Sequence, residues 1–186
     1  GGSDLFRSEV LIETYFDDYL KAVVKKADDF SQYKNQRFIL NDFNPGWADI
    51  TLSINKEYIF KALYEVCINA LKFSRPNSYI IIMTYLMNRN IIISVINEPV
   101  KEAEHIIGIP VEFSKVIFEP FYRLSKSVHE QYQTLDFGLG LTLVEKIITK
   151  HGGEVIAQNI LDHTDVKKDP LIKVNLAITM PIKAVI

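Results

Sequence analysis

The sequence has one cysteine, a small net charge and no long apolar run. These features argue against an internal disulfide, a nucleic-acid partner and a membrane-spanning helix, in that order. Cys67 is the only cysteine in 186 residues, so no disulfide can form within the chain, and a lone thiol in a helical pattern suits a reducing compartment. The formal net charge is −2 and no long basic run occurs, which argues against a nucleic-acid partner. No apolar run approaches the roughly 20 residues of a membrane-spanning helix, so we expect no membrane contact by this domain.

The sequence does contain enough apolar residues for one core. With 48% hydrophobic residues, we expect a single domain over 4–186, preceded by a Gly1-Gly2-Ser3 cloning remnant. Apolar residues at helical spacing predict helices at 5–30, 55–72 and 139–150. Runs rich in β-branched and aromatic residues predict strands at 37–40, 49–54, 78–87, 91–96, 154–160 and 171–180. The predicted fold class is α+β, a two-layer α/β sandwich with about three main helices on one face of a mixed sheet.

Local signals mark where several of these elements begin and end. Asn55 is a suitable N-cap for the second helix, and Arg75-Pro76 is a suitable stop. Asn88-Arg89-Asn90 predicts a compact hairpin turn, while Gly152-Gly153 predicts the end of the third helix. The polar residues 124–137 lack a clear period, so we expect a mobile loop there.

The second predicted helix carries a polar stripe. At about 100° per residue, Asn69 and Lys72 lie within about 40° of Glu65, so the three side chains form one line. Carboxylate and amide oxygens suit magnesium, and an ammonium group suits phosphate. A solvated helix face would show the same spacing, so spacing alone leaves both interpretations open.

Two glycines, Gly138 and Gly140, stand where the third predicted helix begins. Glycine lets the backbone approach a ligand closely, and the free N–H groups of a helix N-terminus attract an anion. A Gly-x-Gly before a helix is weak evidence for phosphate binding by itself. Here it follows the predicted loop and starts a helix that finishes in His-Gly-Gly.

Three motifs in order carry a family resemblance. EVCINALKFS (65–74) resembles an asparagine box, IFEPFYR (117–123) a phenylalanine box, and GLGLTLVEKIITKHGGEV (138–155) a second glycine box with its helix. Together they resemble the catalytic, ATP-binding domain of sensor histidine kinases, in the superfamily shared with heat-shock chaperones and mismatch-repair ATPases. The resemblance covers essentially the whole chain, and the phenylalanine box and the His-Gly-Gly ending favour the kinase branch.

This resemblance implies a Bergerat-type fold that holds ATP between the helical layer and a lid, here 124–137. Asn69 would coordinate Mg2+ and Lys72 would contact phosphate. Glu65 would lie near the γ-phosphate and polarise the acceptor or a water molecule. These assignments make Glu65 and Lys72 the predicted catalytic residues and Asn69 the predicted metal ligand.

The resemblance also implies a wider cofactor-binding set. It consists of Asn69, Lys72, Asn97, Gly108, Arg123, Gly138, Leu139, Gly140 and Leu141. Gly138 and Gly140 would offer backbone N–H groups to the phosphates. Arg123 could add a cation near the nucleotide, or could form a surface ion pair.

The first glycine box departs from the family pattern. The family expects an aspartate after the strand, then two glycines before Ile-Pro. Here the strand ends in Asn97, Pro99 replaces the first glycine, and Gly108-Ile109-Pro110 follows an insertion of about seven residues.

Three interpretations of this departure remain open. Asn97 could accept the adenine N–H in place of aspartate, with a bond weaker by about 1 kcal/mol because the amide is neutral. Glu104, four residues before Gly108, could take over that role from the inserted segment. Alternatively, the pocket no longer binds nucleotide and the fold survives as an interaction module.

The leading functional hypothesis is transfer of the γ-phosphoryl of Mg-ATP to a histidine on a dimerisation segment outside this chain, in a cytoplasmic kinase that signals to a response regulator. His105, His129 and His151 lack the surroundings of a phospho-acceptor, and His151 resembles a structural histidine that ends a helix. The alternative is a non-catalytic, pseudokinase-like module that recruits a partner kinase or response regulator. A stand-alone ATPase is a third hypothesis.

Overall fold

A five-stranded mixed sheet forms one layer of the protein in the computed structural model, which describes residues 11–42, 46–99, 136–169 and 171–182. Within these ranges the helices are α1 (Phe16–Asp28), α2 (Lys56–Phe73) and α3 (Asp136–Lys150). The strands are β1 (Ile12–Tyr15), β2 (Arg37–Asp42), β3 (Thr51–Ile54), β4 (Tyr79–Met87), β5 (Asn90–Asn97), β6 (Glu154–Asp162) and β7 (Leu171–Pro181). Short 3-10 helices occupy Ser31–Lys34 and Trp47–Asp49.

The main sheet has the strand order β2-β4-β5-β7-β6. The β2–β4 pair is parallel and the other three pairs are antiparallel. The predicted hairpin between β4 and β5 is confirmed. Asn88 and Arg89 at its turn both have positive φ, 51° and 62°, the backbone that a tight two-residue hairpin with a right-handed twist requires.

The core lies between this sheet and the three helices, as the α+β prediction required. Strand alternation turns Ile80 and Ile82 of β4 and Ile91 and Ile93 of β5 toward the helical layer, where all four are fully buried. The helical layer contributes buried side chains from each helix, among them Phe16, Ile59 and Ile147. No helix in the described ranges combines the length and the apolar character needed to cross a membrane.

Helix α2 begins and ends where the sequence predicts. The Asn55 side chain accepts a hydrogen bond from the Tyr58 N–H at 3.0 Å, which satisfies one of the donors that a helix start leaves free. The helix stops at Phe73, and Ser74 is extended (φ −82°, ψ 146°). Pro76 disfavours helical backbone at Arg75, so the helix cannot continue.

Helix α3 also ends as predicted, at a pair of glycines. Gly152 has φ +78°, and the N–H groups of Gly152 and Gly153 donate to the carbonyls of Thr149 and Ile148 at 3.0 and 2.9 Å, which is a Schellman motif. A Cβ on Gly153 would collide with the Thr179 carbonyl. The helix starts at Asp136, three residues before the predicted start, so residues 136 and 137 belong to α3 and not to a loop.

The prediction of one helix over 5–30 is wrong for residues 12–15. These residues form β1, which pairs antiparallel with β3 from Ile12 opposite Ile54 to Tyr15 opposite Thr51, and α1 starts only at Phe16. β-Branched Ile12 and Thr14 suit a strand, and β3 supplies backbone partners that local spacing cannot reveal. Residues 5–10 lie outside the described residues.

Candidate functional site

The polar stripe predicted on α2 has a buried amide at its centre. Asn69 is 6% exposed, and within the described part of the chain neither its Oδ1 nor its Nδ2 has a hydrogen-bond partner. Glu65 and Lys72, one turn to either side, are half-buried. A buried amide without a partner is costly, so the stripe offers an amide that a ligand could satisfy, between a carboxylate and an ammonium group.

The turn that carries Lys72 is held from outside the helix. The Lys34 Nζ donates to the carbonyls of Lys72 and Ser74, both at 3.0 Å. The Gln36 Nε2 donates to the Leu71 carbonyl at 3.0 Å and to the Ser74 carbonyl at 3.1 Å. These bonds satisfy carbonyls that a helix C-terminus leaves free, and burial lowers the pKa of Lys34.

Asn97 lies at the end of β5, opposite Val174 of β7. It is 7% exposed and lies on the same strand face as the core residues Ile93 and Val95, so it faces the helical layer. The residues after it contact the end of α2, because Pro99 forms an isolated antiparallel bridge with Ser74. The structure therefore brings the end of β5 next to the end of the helix that carries Asn69 and Lys72.

The remaining predicted cofactor residues fall into two groups. Gly108, Arg123, the alternative Glu104 and residues 124–135 of the predicted lid lie outside the described residues. Gly138, Leu139 and Gly140 belong to the start of α3. The N–H groups at the start of an α-helix have no intrahelical acceptor, and among the described residues of α3 these belong to 136–138. The Leu141 side chain is 2% exposed and lies in the core, so a ligand there could contact only its backbone.

Sequence reasoning missed Lys34 and Gln36 entirely. Their partners lie 35 to 40 residues further along the chain, and neither residue belongs to a motif. Their hydrogen bonds arise only because β2 starts beside the end of α2. No signal in the sequence alone indicates them.

Comparisons with known proteins agree with this geometry. The family described as histidine kinase-, DNA gyrase B-, and HSP90-like ATPase matches residues 54–176. The signal transduction histidine-protein kinase ArlS of Staphylococcus haemolyticus is 35% identical over 106 residues, 57% of this chain and 21% of the relative. ArlS of Staphylococcus aureus is 36% identical over 101 residues, 54% of this chain and 20% of the relative. The chain thus spans about a fifth of the length of these curated relatives.

Solved structures share the fold. The nucleotide-free catalytic domain of histidine kinase ThkA superposes with a TM-score of 0.70 at 22% identity, over 93% of this chain and 96% of that one. The mycobacterial sensor histidine kinase MprB gives a TM-score of 0.69 at 17% identity, over 95% of this chain and 100% of that one.

The family match over residues 54–176 and the ArlS relatives show that the chain belongs to the histidine kinase-, DNA gyrase B-, and HSP90-like ATPase family, as a catalytic, ATP-binding domain of the histidine-kinase type. Both the family resemblance and the two-layer fold are confirmed.

Proposed function

We propose that this domain binds Mg-ATP and transfers its γ-phosphoryl group to a histidine on a separate dimerisation segment of the same protein. The observation that carries the proposal is Asn69, whose buried amide lacks a hydrogen-bond partner among the described residues. Most buried polar groups in proteins have a hydrogen-bond partner. We therefore expect the Asn69 amide to bind a ligand. Family membership supports ATP as that ligand.

The α2 stripe fits the phosphate end of Mg-ATP. Asn69 Oδ1 is a hard oxygen ligand of the kind Mg2+ takes, and Mg2+, when bound, would neutralise charge on the phosphates. Lys72 would contact a phosphate oxygen. Glu65 would polarise the acceptor imidazole, so that its nitrogen forms a bond to phosphorus while the bond from phosphorus to the ADP oxygen breaks.

The other end of the nucleotide would lie against Asn97. Its amide oxygen would accept a hydrogen bond from the exocyclic amine of adenine, more weakly than an aspartate would. Backbone N–H groups in the first turn of α3, which includes Gly138, would face the phosphates. The positive end of the helix dipole lies at the same place. The assignments of Gly108, Gly140, Leu139, Leu141 and Arg123 to the nucleotide remain part of the proposal.

The proposed partner is a response regulator. One similar structure is histidine kinase ThkA in complex with the response regulator protein TrrA, with a TM-score of 0.67 at 20% identity over 93% of this chain. We place the domain in the cytoplasm, without nucleic-acid or membrane contacts of its own. Transfer to the regulator would follow phosphorylation of the histidine.

Titration calorimetry with Mg-ADP tests the proposal at its first step. We expect binding that is weaker than usual for the family, because Asn97 is neutral. A folded protein, verified by circular dichroism, that gives no binding heat at millimolar Mg-ADP would overturn it. Transfer is tested with the full-length kinase and γ-labelled ATP, where the label should appear as acid-labile phosphohistidine and should be lost in Glu65→Gln.

A further inference from the structure

We infer that Arg75 and Glu98 are positioning residues that hold Asn97, the adenine side of the nucleotide site, against the end of the helix that carries Asn69 and Lys72. The inference rests on the proposed function and deepens it. It assigns a role to the Glu98-Pro99 step, which the family resemblance left unexplained.

The segment after α2 (74–75) meets the segment after Asn97 (98–99), and we call this contact the junction. The Arg75 Nε lies 2.7 Å from the Glu98 Oε1, and the Arg75 N–H donates to the Glu98 carbonyl at 3.0 Å. Ser74 and Pro99 form the bridge beside them. One ion pair and one backbone hydrogen bond thus join Arg75, two residues after the end of α2, to Glu98, the residue after Asn97.

The α2 side of this junction is firmly anchored. Ser74 is fully buried, its hydroxyl donates to the Ala70 carbonyl, and its own carbonyl accepts from Lys34 and Gln36. Ala70 directly follows Asn69 in the helix. These bonds keep the α2 side in place when the ion pair is lost, so the segment that shifts is the end of β5, which carries Asn97.

The β5 side explains the proline. The bridge uses the N–H of Arg75 and the carbonyl of Glu98, so Pro99, which has no N–H, costs no hydrogen bond there. Proline also fixes φ near −65°, where the glycine expected by the family would leave the backbone free. The chain therefore leaves the sheet just after Asn97 in a fixed direction.

The Arg75–Glu98 ion pair is expected to position the two chain segments and to add little to the stability of the fold. The Arg75 side chain is 44% exposed and that of Glu98 is 18% exposed, and because water reaches the Arg75 side we expect the pair to add little to the free energy of unfolding. Their loss should leave the domain folded while the Asn97 side chain becomes less well placed. The effect should fall on adenine recognition and spare contacts to the phosphates.

The test measures two ligands by calorimetry, Mg-ADP and Mg-IDP, because inosine lacks the exocyclic amine that Asn97 would bind. We expect Arg75→Gln and Glu98→Gln each to weaken Mg-ADP binding about fivefold and to change Mg-IDP binding by less than about twofold. The exchanged pair, Arg75→Glu with Glu98→Arg, should recover most of the loss. Lys61→Gln is the control, because it removes an exposed ion pair within α2, Lys61–Glu57 (3.4 Å). It should change neither affinity.

Each other outcome counts against the inference. If both single variants fold and bind Mg-ADP as the wild type does, the pair positions nothing, although the proposed function stands. Equal losses for Mg-ADP and Mg-IDP would show a general structural role and would also overturn it. If the folded wild type binds neither nucleotide, the proposed function fails and the inference fails with it.

Discussion

The ring of His151, at the end of α3, accepts the backbone N–H of Asn55, at the start of α2, with 3.0 Å between Nε2 and N. The other ring nitrogen, Nδ1, donates to the Ile147 carbonyl at 2.7 Å. Both bonds require the neutral ring with its proton on Nδ1. Asn55 in turn caps α2 through its side chain. The histidine of the His-Gly-Gly ending therefore joins two helices and has a structural role, as its sequence context suggested.

His151→Ala should destabilise the fold by about 1–2 kcal/mol, because it leaves the Asn55 N–H without its acceptor and removes one of the two donors to the Ile147 carbonyl, which keeps the backbone N–H of residue 151. Urea unfolding followed by circular dichroism measures the loss. His163, exposed in the loop after β6, provides the control, and His163→Ala should change the free energy of unfolding by less than about 0.5 kcal/mol. Equal effects for the two variants would contradict the structural role of His151.

Local chemistry made much of the fold predictable. The Asn55 cap, the Arg75-Pro76 stop, the positive-φ turn at Asn88 and Arg89, and the glycine at 152 each act within a few residues. β1 was missed because its pairing depends on β3, whose residues lie 36 to 42 positions away in the register. Apolar spacing before Phe16 could not reveal that partner.

The candidate site also has one part that local sequence predicts and one part that depends on tertiary contacts. Glu65, Asn69 and Lys72 share one helix face, so helical geometry predicted their alignment. The burial of Asn69 without a partner, and the support of α2 by Lys34 and Gln36, depend on tertiary contacts between distant segments. The ion pair between Arg75 and Glu98 belongs to this second class, because its members are 23 positions apart in the sequence.

Cys67 should make the fold sensitive to alkaline pH. Burial raises the pKa of its thiol from an ordinary 9.0 to about 12, so between these values the unfolded chain binds fewer protons than the folded one. The free energy of unfolding therefore falls as the pH rises through this window, by about 1.4 kcal/mol per pH unit from this group. Below pH 9 the contribution is constant.

Cys67→Ala isolates this effect from other groups that titrate in the same range. Urea unfolding of both proteins at pH 7.5 and pH 10 gives the difference directly. We expect the wild type to lose about 1 kcal/mol more than the variant over that interval. Parallel losses in the two proteins would contradict the assignment to the thiol.

Asn69→Ala should separate function from stability. The substitution removes a buried amide that has no partner among the described residues, and the relief offsets the lost packing, so the free energy of unfolding should stay within about 1 kcal/mol of the wild type. Mg-ADP affinity should fall by about tenfold or more, or about 1.4 kcal/mol. Calorimetry and urea unfolding on the same preparation measure both quantities.

Asn175 supplies the matched control for that variant. It is also buried, and its Oδ1 also lacks a partner among the described residues, but it alternates with the core residues Leu176 and Ile178 and so faces away from the helices. Asn175→Ala should leave Mg-ADP affinity unchanged. A normal affinity in Asn69→Ala together with severe destabilisation would make Asn69 a structural residue.

Asn97→Asp decides between a nucleotide-binding kinase domain and a pseudokinase-like module. If Asn97 accepts the adenine amine, a carboxylate there should strengthen Mg-ADP binding by about tenfold, or about 1.4 kcal/mol, because a charged acceptor forms the stronger bond. Asn41→Asp, at an exposed position on the edge strand β2, adds the same charge away from the site and should leave the affinity unchanged. A flat response in Asn97→Asp would remove the adenine contact from the proposal and is the outcome that the pseudokinase-like module predicts.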